Sequence, residues 1–132
     1  MTLPYAQSTL DLWKLSLTSM TTEIHAAQIK AGWYKNPQTG RTIDRNVMEM
    51  LMLIVTEVAE AAEGFRKTLM DDKLPHRPML EVELADTLIR IFDLAGYQGL
   101  DLGGAMVEKL IYNTQRADHT LAARAAEGGK KC

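Results

Sequence analysis

The chain is predicted to be all-α and four-helix bundle-like, on three observations. Apolar residues recur at alternating steps of three and four in successive segments. Glycine and proline clusters fall between those segments rather than inside them. Two pairs of carboxylates are spaced one helical turn apart. With 132 residues and 46% hydrophobic content, the expectation is a single domain over 1–132, with a core of about 8–117 and a C-terminal tail over 118–132.

Leu10, Trp13, Leu17, Met20, Ile24 and Ala27 predict a first helix from about Ser8 to Ala31. The hydroxyl side chains between Ser16 and Thr22 compete for its backbone and are expected to bend or divide it. Gly32 ends it, and Trp33 to Gly40, with Asn36-Pro37 inside, reads as a loop. A second helix, capped at Thr42 or Asp44, runs to about Lys67. Val47, Leu51, Ile54, Val58, Ala61 and Phe65 form one stripe, and Met48, Met52, Val55, Ala59 and Ala62 cover much of the remainder, so this helix is expected to be buried nearly all round. At ~100° per residue, Glu57 and Glu60 turn into the crowded side and Glu63 toward water.

Thr68 to Pro78 reads as the connection that reverses the chain, and Pro78 starts a third helix, from about Met79 to Ala95. Its periodicity buries Leu84, Ala85, Leu88, Ile91, Phe92 and Ala95 and leaves Glu83, Asp86, Arg90 and Asp93 on the opposite face. Gly96 and Gly99 close it. Asp101 caps a fourth helix from Leu102 to at least Ala117, on which Lys109, Asn113 and Arg116 share one face able to meet a phosphate.

Fifteen basic and seventeen acidic residues give a formal charge of −2. If four acids are metal ligands, fifteen bases face thirteen remaining acids, and nothing resembles the basic stripe of a nucleic-acid binder. No apolar segment reaches the ~18 residues of a membrane span, and the N-terminal stretch lacks a basic start followed by an apolar run. The only cysteine is Cys132, so no disulfide forms within the chain. A soluble cytoplasmic protein is expected, with no polymer of nucleic acid and no membrane as partner.

Glu57-x-x-Glu60 and Glu83-x-x-Asp86, separated by twenty-two residues, each offer two carboxylates from one helix surface. Packed antiparallel, the two helices bring four acids together, and such a cluster opposes folding unless a cation joins it. Mg²⁺ prefers hard oxygen ligands and retains waters that substrate phosphates can replace. All four are the candidate metal-binding and catalytic residues.

With this spacing the sequence resembles the MazG-like all-α nucleoside triphosphate pyrophosphohydrolases. IHAAQIKAGWY, LIVTEVAEAAEGFRK, EVELADTLIRIFDLAG and DLGGAMVEKLIYNTQR occur in that family's order over roughly Glu23 to Arg116. The resemblance implies a MazG-type fold and Mg²⁺ roles for Glu57, Glu60, Glu83 and Asp86. It also implies triphosphate contacts by Lys109, Asn113 and Arg116, and places His25 and Trp33 near the base or sugar. The implied reaction is hydrolysis of a (deoxy)nucleoside triphosphate to the monophosphate and pyrophosphate, by attack of water on the α-phosphorus. Glu60 is a candidate for the group that takes the water's proton. The family further implies a dimer or dimer of dimers, in agreement with a second helix too apolar for one chain to cover.

Phosphoribosyl-ATP and dUTP-type pyrophosphohydrolases share the phosphate chemistry and differ in substrate. A non-catalytic helical interaction module, its acids merely surface charges, is the alternative of another class. A di-iron bundle expects Glu-x-x-His pairs, which the chain lacks.

Overall fold

A computed structural model describes residues 3–131 of the chain; Cys132, and with it the expectation about the lone cysteine, lies outside the described residues. The helices are α1 (Gln7–Lys30), α2 (Val47–Lys67), α3 (Met79–Gln98), α4 (Leu102–Thr114) and α5 (Leu121–Ala125), with a 3-10 turn at Ala117–His119. The all-α expectation holds: among the described residues the only β pairing is two isolated bridges, Lys35 with Thr42 and Met70 with Pro78. No helix among them is long and apolar enough to cross a membrane.

The chain packs as two compact units, one of residues 3–19 with 101–131 and the other Met20–Leu100. The boundary falls within the hydroxyl-rich part of α1, yet α1 is unbroken. The Thr18 hydroxyl donates to the Lys14 carbonyl at 2.8 Å, so it bonds back along its own helix instead of interrupting it.

In the Met20–Leu100 unit, α2 and α3 form an antiparallel hairpin. Met50 shares a buried core with Leu94 and Tyr34, Glu57 meets Arg90, and Gly64 meets Met79, so positions advancing on α2 face positions retreating on α3. A side chain at position 64 would bring its Cβ to 2.8 Å from the Met79 Cβ, which makes glycine the residue that lets the helices close at this end. The cap of α2 is Asn46, not Thr42 or Asp44: its side-chain oxygen accepts from the amides of Met48 and Glu49 at 2.9 and 3.2 Å. At the other end Thr68, at φ 53°, donates its amide to the last turn of α2, and the Asp71 carboxylate accepts from the amides of Lys73 and Leu74.

Two expectations about burial are corrected. Helix α2 is not buried all round: Met50, Glu57, Ala61 and Gly64 are buried, while Met48, Met52, Val55, Val58 and Phe65 are exposed. One long neighbour, α3, covers one stripe and no more. The faces of α3 are also partly exchanged, although Phe92 and Ala95 are buried as expected. Glu83, Thr87 and Asp93 are buried with Phe92, Leu94 and Ala95, whereas Leu84 and Leu88 are about half exposed, at 48% and 51%. The polar stripe of α3 is the one turned into the molecule, because it is the stripe that meets the acids of α2.

The other unit contains the start of α1, α4 and the C-terminal segment. Asp101 caps α4 as expected, accepting from the Gly104 amide at 2.9 Å. The helix stops at Thr114 rather than continuing past Ala117. The alanine-rich stretch does not prolong it; Thr120 caps the short separate helix α5.

Candidate metal centre

The hairpin places Glu57 and Glu60 on α2 opposite Glu83 and Asp86 on α3. Oxygens of Glu57, Glu60 and Glu83 all lie within 4.8 Å of one another. Glu57 and Glu83 are buried, at 8% and 7% exposure, and Glu60 is exposed, so the crowding expected of it applies to Glu57 alone. The cluster thus has a dry floor and an open side. Asp86 is half-buried one turn beyond Glu83 and stands outside the tight triple. Glu63 points away: it is paired on the surface with Arg66 and Lys67, which hold its carboxyl below the usual range, Lys67 more strongly.

Electrostatics mark the cluster as short of positive charge. Burial, first, and then a hydrogen bond with Glu57 and the charges of Glu60, Glu57 and Asp86 push Glu83 up to about 7. Asp86 is raised by burial and by the Glu57 charge, against which Arg90 acts in the opposite direction. Arg90 Nε–H donates to Glu57 Oε1 at 2.5 Å, placing a guanidinium against the group. The donor set is all carboxylate oxygen, converging from two helices with room on one side, which fits a hard divalent cation that keeps some of its waters. Glu57, Glu60 and Glu83 would hold it, with Asp86 beside them.

Two hollows flank the acids. One, of about 670 Å³, is bordered by Glu57, Glu60, Glu83 and Asp86 together with the Asp71–Leu74 turn. The other, of about 430 Å³, lies on the Arg90 side of Glu57 and is lined by Trp33, Arg45, Met50, Leu53, Asp86 and Asp93, among others. Trp33 is 63% exposed and borders it. His25 does not line this hollow. Its Nδ1 lies 2.8 Å from Asp93 Oδ1, which also accepts from the Tyr34 hydroxyl at 2.9 Å. His25, Tyr34 and Tyr97 pack ring on ring behind the wall, and the Tyr97 hydroxyl accepts from the Arg45 amide at 2.9 Å. This arrangement ties the loop that carries Trp33 and Arg45 to α3. It requires Gly96, where a Cβ would come to 2.4 Å from that of His25.

The remaining sequence-predicted residues belong to the other unit. Lys109 and Asn113 are on α4, with the Lys109 ammonium 4.7 Å from the Tyr112 ring centre. The side-chain oxygen of Asn113 is buried and has no hydrogen-bond partner among the described residues. Arg116 does not share the α4 face as expected, since it lies beyond the helix in extended backbone and pairs with Asp118 at 2.5 Å. That pairing holds Asp118 below its ordinary carboxylate range.

Arg90, Asp93, Arg45 and Asp71 border these hollows and were not among the candidates from sequence. A signal existed for two of them. Arg90 and Asp93 continue the 3-4-3 spacing of Glu83 and Asp86, so the stripe that carries the acids already contained them. Against known protein families, curated proteins and solved structures, the chain has no match.

Proposed function

We propose that the chain is a Mg²⁺-dependent nucleoside triphosphate pyrophosphohydrolase. The observation that carries this reading is the convergence of Glu57, Glu60 and Glu83 to within 4.8 Å, with Asp86 alongside, at the edge of a cavity of about 670 Å³, with the hollow of about 430 Å³ on the other side of Glu57 and Asp86. The MazG-like motif order supports it from the sequence side. Bound there, Mg²⁺ would offset phosphate charge and acidify a water ligand.

The chain's own groups have distinct tasks. Glu57 and Glu83 anchor the site from its buried floor. Glu60, on the open side, is the candidate to take the proton of the attacking water. Water oxygen bonds to the α-phosphorus, the bond from that phosphorus to the bridging oxygen breaks, and pyrophosphate leaves with the electron pair. Arg90 provides a fixed positive charge beside the reacting phosphates, and Lys109 and Arg116 are assigned to the leaving pyrophosphate. Such an enzyme would act on cytoplasmic triphosphates. Phosphoribosyl-ATP and dUTP-type activities are variants of the same reading, separated by substrate range.

The test is incubation with canonical and modified triphosphates plus Mg²⁺, scoring monophosphate, pyrophosphate and orthophosphate. Monophosphate and pyrophosphate in equal amounts are expected. Absence of pyrophosphate from every substrate would reject the reading.

The exposed Met48, Met52, Val55 and Val58 support self-association as a dimer or dimer of dimers. Sedimentation at micromolar concentration should give more than one chain per particle, and a monomer would refute it. The same exposed face also favours the second reading, a helical interaction module. That reading predicts no turnover of any nucleotide and no effect of Glu83→Gln on self-association.

A further inference from the structure

The wall of the smaller hollow contains one carboxylate for which the phosphate chemistry has no use. Asp93 is only 9% exposed and devotes a single oxygen, Oδ1, to both of its partners, Tyr34 and His25. Its other oxygen, Oδ2, takes no hydrogen bond among the described residues, and it is not one of the buried atoms sealed away without a partner. Asp93 borders the cavity, and Oδ2 is its carboxylate oxygen without a partner among the described residues. Buried acceptors are seldom left unused, and a carboxylate oxygen fixed by two donors on its twin is already aimed for a third.

The surroundings narrow what the third donor is. Trp33 offers an exposed ring face, and Met50, Leu53 and Ile89 make part of the lining apolar, which suits a flat ring rather than a charged group. Asp93 lies seven residues beyond Asp86 on α3, roughly 10 Å along the helix. That is farther than a sugar hydroxyl lies from its own α-phosphate and within reach of a base edge.

We propose that Asp93 is the specificity-determining residue of this cavity: its Oδ2 accepts a hydrogen bond from a ring or amino N–H of a nucleobase laid against Trp33, while His25 and Tyr34 act as positioning residues that fix the carboxylate. The assignment rests on the reading above only in placing phosphates at the acid cluster. It selects substrates by a donor on the base, because a base lacking that donor leaves Oδ2 buried and unpaired.

The experiment is calorimetric titration of the Mg²⁺-loaded protein with nucleoside monophosphates matched in pairs: adenosine against purine riboside, cytidine against its 4-deamino form, and uridine against 3-methyluridine. At least one pair is expected to differ roughly tenfold or more in Kd in favour of the donor-bearing member. In Asp93→Ala that difference should fall to under about threefold, with pyrophosphate binding unchanged. Asp93→Asn, of the same shape but a weaker neutral acceptor, should lose part of it and serves if the alanine variant does not fold. No binding of any monophosphate, no discriminating pair, or discrimination that survives in the variants would overturn the assignment. Discrimination without cleavage of any triphosphate would keep it and reject the pyrophosphohydrolase; cleavage without discrimination would do the reverse.

Discussion

The acids of the α2–α3 hairpin and the polar residues of the Lys109–Arg116 segment are both short motifs at helical spacing, but the structure treats them differently. The acids converge: two helices pack along their length, and carboxylates twenty-six residues apart in sequence, Glu57 and Glu83, come within ligand distance of each other. The cation-bearing segment disperses. Lys109 lies over Tyr112, Asn113 has a buried oxygen without a partner, and Arg116 has left the helix for Asp118. Spacing within one helix creates a site only when a second element reads the same face. The hairpin supplies that element for the acids, and the tail supplies Arg116 with a competing anion.

The largest test of this difference is removal of a floor carboxylate. Glu57→Ala is expected to lower Mg²⁺-dependent turnover by more than about 100-fold, and Asp86→Ala comparably, while circular dichroism stays helical. Glu63→Ala, on a residue paired at the surface with Arg66 and Lys67, should change turnover by less than about twofold. Equal losses in all three variants would mean that the triple is not the metal site.

A second test is pH. Glu83 in the folded, metal-free chain is pushed up to about 7, above its ordinary 4.5, so between those values the folded state binds more protons than the unfolded one. Stability is therefore fully present below about pH 4.5 and falls as pH rises to about 7, by on the order of 2–3 kcal/mol, with Asp86 adding in the same direction. Denaturant melts with chelator should show this decline, and Glu83→Gln should remove most of it. Mg²⁺ should restore stability above pH 7, where it replaces the proton. A flat profile in chelator would show that the acids do not repel one another as the geometry requires. The cationic segment has no counterpart to this effect, since Arg116 and Asp118 are already neutralised pairwise at the surface.

That pairing provides the third test. Arg116→Ala is expected to raise KM for triphosphate about tenfold, the worth of one charge-assisted contact, and to change stability by no more than about 1 kcal/mol because the ion pair is partly exposed. Asp118→Asn, which releases Arg116 from its competitor, should lower KM modestly. If Arg116→Ala behaves as the parent, the segment is ordinary surface and the contrast with the hairpin is complete.

How much was legible beforehand follows the same division. Helices α1, α2 and α3, the Asp101 cap and the pairing of Glu-x-x-Glu with Glu-x-x-Asp follow from spacing and capping chemistry, which are local. The inward face of α3 was only half legible. Periodicity identified the stripe of Glu83, Asp86, Arg90 and Asp93, and pairing with the acids of α2 turned Glu83 and Asp86 inward, but hydropathy, which scores a carboxylate as solvent-facing whatever lies opposite it, gave no reason to bury Asp93. The reverse error put Leu84 and Leu88 in the core and all of α2 under cover, since apolar spacing cannot say how many neighbours a helix has. The end of α4 was missed for another reason: alanines favour a helix locally, while the Arg116–Asp118 pair and the Thr120 cap make a competing start nearby. Asp93 required the fold, because its partners His25 and Tyr34 are 68 and 59 residues away.

The smallest expected effect separates the hairpin as scaffold from the hairpin as site. Helix α2 ends on Thr68 at φ 53°, and α3 ends on Gly99 at φ 63°, the same left-handed cap built once with a β-branched residue and once with glycine. A β-branched side chain is strained there by roughly 1–2 kcal/mol, and glycine returns part of that relief as extra unfolded-state entropy. Thr68→Gly is therefore expected to stabilise the protein by about 1 kcal/mol and Gly99→Ala to destabilise it by a similar amount. Both should leave the metal-dependent difference between chelated and Mg²⁺-loaded melts unchanged, since neither residue borders the acids. If Thr68→Gly instead weakens Mg²⁺ binding, the strained cap is part of what holds Glu57 and Glu60 against Glu83, and the turn after α2 belongs to the site.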